Sequence, residues 1–152
     1  MRHKIIIAVL FLCFVATSVF AVLPPKYYEQ AAEESRIKAT AVVESVKVMD
    51  HYNAVDYKRV TFKLIKSFGP EEAPEKFTAR CESVNKRWFE KPPGVGGTIY
   101  YYPDRGERVY VTISSNDGGI TSYTRLTPRL EKALNENFKS VKTKMGTAYV
   151  SE

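Results

Sequence analysis

The stretch GGTIYYYPDRGERVYVTIS, Gly96 to Ser114, holds two β-rich runs around a Pro-Asp-Arg-Gly turn, with three consecutive tyrosines in the first run. Register decides what those tyrosines do, because a slip of one residue turns every side chain to the other face of a sheet. Pairing Tyr102 with Arg108 separates the two faces. Ile99, Tyr101, Val109, Val111 and Ile113 then point inward, and Tyr100, Tyr102, Arg108, Tyr110 and Thr112 point outward. This register needs a five-residue connection, Pro103 to Glu107, in which Gly106 can take a positive φ. The expectation is a hairpin with Tyr101 in the core and an outward ladder of Tyr100, Tyr102 and Tyr110 beside Arg108.

Upstream, apolar residues recur with period two. Ile37, Ala39, Ala41 and Val43 share one phase, and Val46 and Val48 resume one step late. That slip places a β-bulge near Glu44 or Ser45. A bulged, coiled first strand is what a small barrel needs in order to close. Asp50 to Asp56, DHYNAVD, reads as a turn-rich connection. Val60, Phe62 and Leu64 set the inward face of a second strand, and Phe77, Ala79 and Cys81 that of a third, Lys76 to Glu82. SVNKRWFEKPPGVGG follows as a long loop, and Trp88 and Phe89 within it argue that it packs.

Downstream, SSNDGG is a turn and ITSYT a short strand. Thr127-Pro128 supplies an N-cap and a first-turn proline. Leu130, Ala133, Leu134 and Phe138 recur at helical spacing, so Pro128 to about Lys139 reads as an amphipathic helix on the sheet. Pro24-Pro25 and KYYEQAAEES read as a short N-terminal helix or arm. The fold class is mainly β: an OB-like closed barrel of five to six strands with its C-terminal helix over 36–140. A helical arm over 22–35 precedes it, and a flexible tail over 141–152 follows.

The first residues have a different character. Arg2, His3 and Lys4 are basic, Ile5 to Val15 are apolar, and small residues lead to Val19-Phe20-Ala21. This order reads as a secretory signal over 1–21, cleaved near Ala21. The apolar run is shorter than the roughly 20 residues a membrane span needs. Cleavage leaves enough chain for one domain, with no transmembrane anchor, in the periplasm or outside the cell. Loss of Arg2 and Lys4 lowers the formal charge of +6 by two, to a mildly basic value. Cys13 leaves with the signal, so Cys81 stands alone and no internal disulfide forms.

Three segments carry a resemblance. YKRVTFKLIKSF, Tyr57 to Phe68, resembles the second strand of the netrin-like and tissue-inhibitor-of-metalloproteinases superfamily. VGGTIYYYP resembles its Gly-x-x-Tyr strand, and ITSYTRLTPRLEKAL the start of the helix in its small bacterial exported members. The resemblance covers about Ile37 to Leu134 and implies an OB-type barrel with an interaction role. The animal inhibitors chelate a protease's metal through an N-terminal cysteine. Here the mature end is Val22-Leu23-Pro24-Pro25, and the family's disulfides are absent, so inhibition by that chemistry is not implied.

Catalytic and metal-binding patterns are weak. His51 with Asp50 and Asp56 lacks recognised ligand spacing. Cys81 and His51 form the one conceivable nucleophile–base pair, yet Cys81 shares the inward face with Phe77 and Ala79, which suits a buried, inert thiol. Gly94, Gly96 and Gly97 have no lysine placed to make a phosphate loop. The expectation is an exported, non-enzymatic binding domain without cofactor or metal. Its contact surface is the outward face of Tyr100, Tyr102, Arg108 and Tyr110, and its partner is a protein or glycan of the envelope or exterior, not nucleic acid. The alternatives are a thiol-dependent hydrolase or related enzyme using Cys81 and His51, and an envelope assembly factor.

Overall fold

The computed structural model describes residues 23–85 and 97–152. The expected signal segment, and Trp88 and Phe89 of the long loop, lie outside the described residues. The elements are α1 (Pro25–Glu33), β1 (Ile37–Tyr52), β2 (Val55–Ser67), β3 (Lys76–Val84), β4 (Arg108–Ile113), β5 (Ile120–Arg125), α2 (Pro128–Glu136), a 3-10 turn (Phe138–Ser140), β6 (Val141–Lys144) and β7 (Thr147–Val150). The fold is mainly β. Five strands form one antiparallel sheet in the order β3-β2-β1-β4-β5, and β6 and β7 form a separate hairpin.

β1 holds the sheet together. Its start, Ile37 to Val42, pairs with β4, and nearly its whole length pairs with β2. Register shifts fall between Thr40 and Ala41, Val43 and Ser45, and Val48 and Asp50. The second is the bulge that the slipped alternation implies. Each bulge bends the strand and adds twist, so β1 coils and the sheet curls around its apolar face. Val60, Phe62, Phe77, Ala79, Val109, Val111 and Ile113 are all buried inside, as their alternation implies, and Cys81 lies among them. Phe62 and Phe77 face each other across the β2–β3 ladder with stacked rings 5.2 Å apart.

The curl brings the sheet's edges together at one place. Arg80 of β3 and Gly119, just before β5, form a single parallel bridge. The Arg80 N–H donates to Gly118 O (2.8 Å), and the Asp117 N–H donates to Thr78 O (2.8 Å). Among the described residues this is one bridge, not a continuous β3–β5 ladder.

The connection expected over Asp50 to Asp56 is mostly strand. Asp50, His51 and Tyr52 pair with Tyr57, Asp56 and Val55, leaving a two-residue turn of Asn53 and Ala54. Both have positive φ, 47° and 65°, which is the turn handedness that matches strand twist. Alanine in this region is disfavoured by roughly 1–2 kcal/mol. Ala54→Gly will therefore raise stability by about 0.5–1 kcal/mol, the remainder being offset by glycine's freedom in the unfolded chain. A urea midpoint that stays put or falls would contradict the left-handed assignment.

The hairpin built on Tyr102 and Arg108 does not form. Arg108 pairs with Val42 of β1, and Val109 pairs with Arg125 of β5. Both edges of β4 are thus occupied, and no room remains for a strand at 98–102. That segment is irregular and lies against β3 instead. The Tyr101 N–H donates to Glu82 O (2.9 Å), and the Ser83 hydroxyl donates to the Tyr101 carbonyl.

A second apolar cluster sits on the other face of β4. Tyr110, Leu130, Leu134 and Ala148 are buried there, with Phe68, Phe138, Val141 and Val150 packed against them. Thr127 caps α2 as expected, its side chain accepting from the Leu130 N–H (3.2 Å). α2 ends at Glu136, and Phe138 continues in the 3-10 turn. The tail expected to be loose is instead the β6–β7 hairpin, whose turn residues Met145 and Gly146 have φ of 47° and 73°. Its order has a physical source: Ala148 and Val150 complete the second cluster, and the Tyr123 N–H of β5 donates to Gly146 O (2.9 Å).

Candidate binding cleft

An open cleft of about 640 Å³ lies where α1, β2, β3, the 97–101 segment and the start of β5 meet. Tyr27, Tyr28 and Ala31 form the α1 wall. Tyr57, Lys58 and Arg59 come from β2, and Arg80, Cys81 and Glu82 from β3. Met49 of β1, Ile99, Tyr101, Ile120 and Thr121 also line it.

The helical wall is pinned by hydroxyl groups. Ser35, just after α1, donates to Ala31 O (2.8 Å), and its oxygen lies 2.6 Å from the Thr121 hydroxyl. Thr121 in turn meets the Thr112 hydroxyl at 2.6 Å, and Thr112 meets Ser122 at 2.8 Å. The Tyr28 hydroxyl donates to Gly97 O and ties the helix to the far rim. Buried polar chains with every member paired hold one geometry, so the cleft is largely preformed.

Charge is arranged on the β2–β3 side. Asp117, at φ 59°, receives Arg59 through Nε (3.1 Å) and Nη2 (3.2 Å). Arg80 donates Nε–H to the Asp117 carbonyl (2.8 Å). The turn that bridges β3 therefore also orients both guanidinium groups.

Cys81 lines the cleft but is buried, and burial pushes its thiol from 9.0 up to about 11, against a smaller lowering by Lys58. Below that value the thiol is neutral and a poor nucleophile. β2 lies between the strands of Cys81 and His51, which separates them by roughly 10 Å across the ladder. The His51 ring bonds Asp56 instead, Nδ1 to Oδ1 at 2.7 Å. Native protein will be alkylated at Cys81 about a hundredfold more slowly than unfolded protein at the same pH, the factor that two pH units of thiolate population supply. Equal rates in iodoacetamide kinetics with and without denaturant would contradict the burial.

The residues of the expected ladder part company. Tyr100 is half-buried and Tyr102 is 49% exposed, both in the irregular segment beside β3. Burial, then the Glu82 carboxylate and the neighbouring Tyr57 and Tyr102, push the Tyr100 phenol above its ordinary value. Neither residue lines the cleft. Tyr110 is only 3% exposed, covered by α2 and Phe138. Arg108 is exposed and pairs with Glu131 of α2 (2.7 Å). Tyr110 cannot touch a partner, and Arg108 is held by α2, so the four residues do not make the hairpin ladder.

The cleft residues that sequence reasoning passed over are Tyr27, Tyr28, Tyr57, Arg59 and Arg80. Their signal was local: Lys26-Tyr27-Tyr28 and Tyr57-Lys58-Arg59 each set cations beside tyrosine. Among the described residues no group of three or more His, Cys, Asp or Glu side chains is placed to hold a metal ion. No helix among them is long and apolar enough to cross a membrane. No protein-family model, curated protein or solved structure matches the chain.

Proposed function

We propose that this chain is an exported, non-enzymatic binding domain on an OB-like barrel, and that the cleft beside α1 is its contact surface. One observation carries this reading. Tyr27 (52% exposed), Met49 (50%) and Tyr57 (39%) stand open together at a preformed cleft that Arg59 and Arg80 also line. Exposed aromatic residues, methionine and arginine are what interfaces concentrate. The barrel reading is supported by the strand order and by the touching edges of β3 and β5. It accords with the netrin-like resemblance, which implies interaction without metal chelation. The partner is a protein or glycan of the cell envelope or exterior.

A photo-crosslinking residue at Tyr57, compared with one at exposed Lys142 on β6, tests the surface. Exposed to envelope material and culture fluid, the Tyr57 probe will give a discrete adduct that the Lys142 probe lacks. Adducts that are absent, or the same from both positions, would remove the proposal. Export is checked separately: secreted or periplasmic material will begin at Val22, and a membrane-held species beginning at Met1 would exclude it.

A further inference from the structure

Three cations face one another across three strands. Lys47 of β1 pairs with Arg59 of β2, and Arg59 pairs with Arg80 of β3. All three are exposed, and residues directly paired across a ladder stand on one face of the sheet. Neighbouring strands are about 4.8 Å apart, so the row repeats positive charge at roughly that spacing. Like charges directly opposite destabilise a sheet, and the fold relieves only part of this. The Asp117 carboxylate neutralises Arg59. Among the described residues the Arg80 side chain meets the Asp117 carbonyl, through Nε. Lys47 and Arg80 have no ion-pair partner among the described residues.

The rows on either side add chemistry. Ser45, Thr61 and Thr78 pair in the next row along the same face, setting three hydroxyl groups beside the cations. On the other side Tyr57, partly exposed, pairs with Glu82. Asp50 of β1 pairs with Tyr57 from its other side, so the face offers a line of positive charge flanked by a line of hydroxyl groups and by a row of one aromatic ring between two carboxylates.

We infer that this face binds an acidic polysaccharide, a chain with a carboxylate on each sugar, laid across β1, β2 and β3. The inference rests on the reading of the cleft as a contact surface, because Arg59 and Arg80 belong to both. The unused fork of Arg80 matches a carboxylate in bidentate geometry. Lys47 meets a second carboxylate as a compact point charge. Ser45 and Thr61 bond the hydroxyl groups between the charges, which a deoxynucleic acid backbone lacks. Tyr57 stacks on the apolar face of a sugar ring.

Calorimetric titration with oligogalacturonate and oligomannuronate tests this, with methyl-esterified oligogalacturonate, poly-glutamate and single-stranded DNA as comparisons. At least one of the two uronates will bind, the ester will not, and affinity will fall as NaCl is raised, because salt screens exposed charges. Lys47→Gln and Arg80→Gln will each weaken binding by about fivefold or more, while Lys142→Gln leaves it unchanged. Lys47 is exposed and has no ion-pair partner among the described residues, so its variant folds even if Arg80→Gln does not. Ester binding equal to that of the acid, tighter binding of poly-glutamate or DNA, or an unaffected Lys47→Gln would overturn the inference. If neither uronate binds while the Tyr57 crosslink still captures a discrete partner, the inference fails and the cleft reading stands. If both fail, both are wrong.

Discussion

Replacing Tyr110 by alanine will destabilise the protein by roughly 3–5 kcal/mol, the range for truncating a buried aromatic residue. The side chain is 3% exposed, and its ring meets Phe68 and Phe138 edge-on at 6.3 and 6.5 Å. Phe68 and Phe138 stack on each other at 5.4 Å. Leu130 and Leu134 of α2 and Ala148 of β7 close the cluster. Removing the ring leaves a void walled by a sheet on one side and by helix and hairpin on the other, and neither collapses easily into it. Tyr110→Phe will cost less than about 1 kcal/mol, since the ring supplies the packing. Tyr102→Ala, at an exposed position, will stay within about 0.5 kcal/mol. Urea melts of the three variants decide the matter. A Tyr110→Ala loss no greater than that of Tyr102→Ala would mean that α2 does not cover this face.

Tyr101→Ala belongs in the same range, roughly 3–5 kcal/mol, for a different reason. Tyr101 is 8% exposed and inserts into the main core from a segment that has no ladder of its own. Its hydroxyl donates to Thr121 O (2.9 Å), and its backbone is held at Glu82 and Ser83 of β3. The side chain anchors the 97–103 connection in the core, with Ile99 packed beside it. Tyr101→Phe isolates the hydroxyl and will cost about 1 kcal/mol. The alanine variant will also speed hydrogen exchange at the Tyr123 amide, because the turn at Gly146 packs against the Tyr101 hydroxyl: an added Cβ there would lie only 2.5 Å from it. Exchange at Tyr123 unchanged in Tyr101→Ala would separate the hairpin from this anchor.

These two tyrosines show what could be read in advance. Alternation gave the face of a residue reliably, because a sheet side chain points in or out with period two. Hence Val60, Phe62, Phe77, Ala79, Val109 and Val111 were legible as core, and so was the bulge after Val43. Alternation says nothing about which strand lies alongside. Tyr101 is inward as expected, but it borders β3 and not β4. Tyr110 faces away from the main core as expected, but a second cluster waits on that side. Its cover depends on α2 and on a hairpin read as loose tail. That hairpin was faintly signalled by two short runs around Met145-Gly146. The cleft was illegible for a related reason. Its residues come from 27–31, 57–59, 80–82 and 97–101, segments distant in sequence that strand order alone assembles.

The β6–β7 hairpin has a consequence for the life of the chain before it is fully folded. β5 is the last strand of the five-stranded sheet, and Gly146 and Ala148 bond its outer side through the Tyr123 amide and the Thr124 hydroxyl. A bare strand edge recruits strands from other molecules. β6 and β7 follow β5 in the polypeptide, so a growing chain leaves the ribosome with this flank open and closes it only when these two strands arrive. A chaperone that delays folding during synthesis would shield that flank, and a protein cut after Ser140 keeps it open for good and will assemble through it into intermolecular sheet.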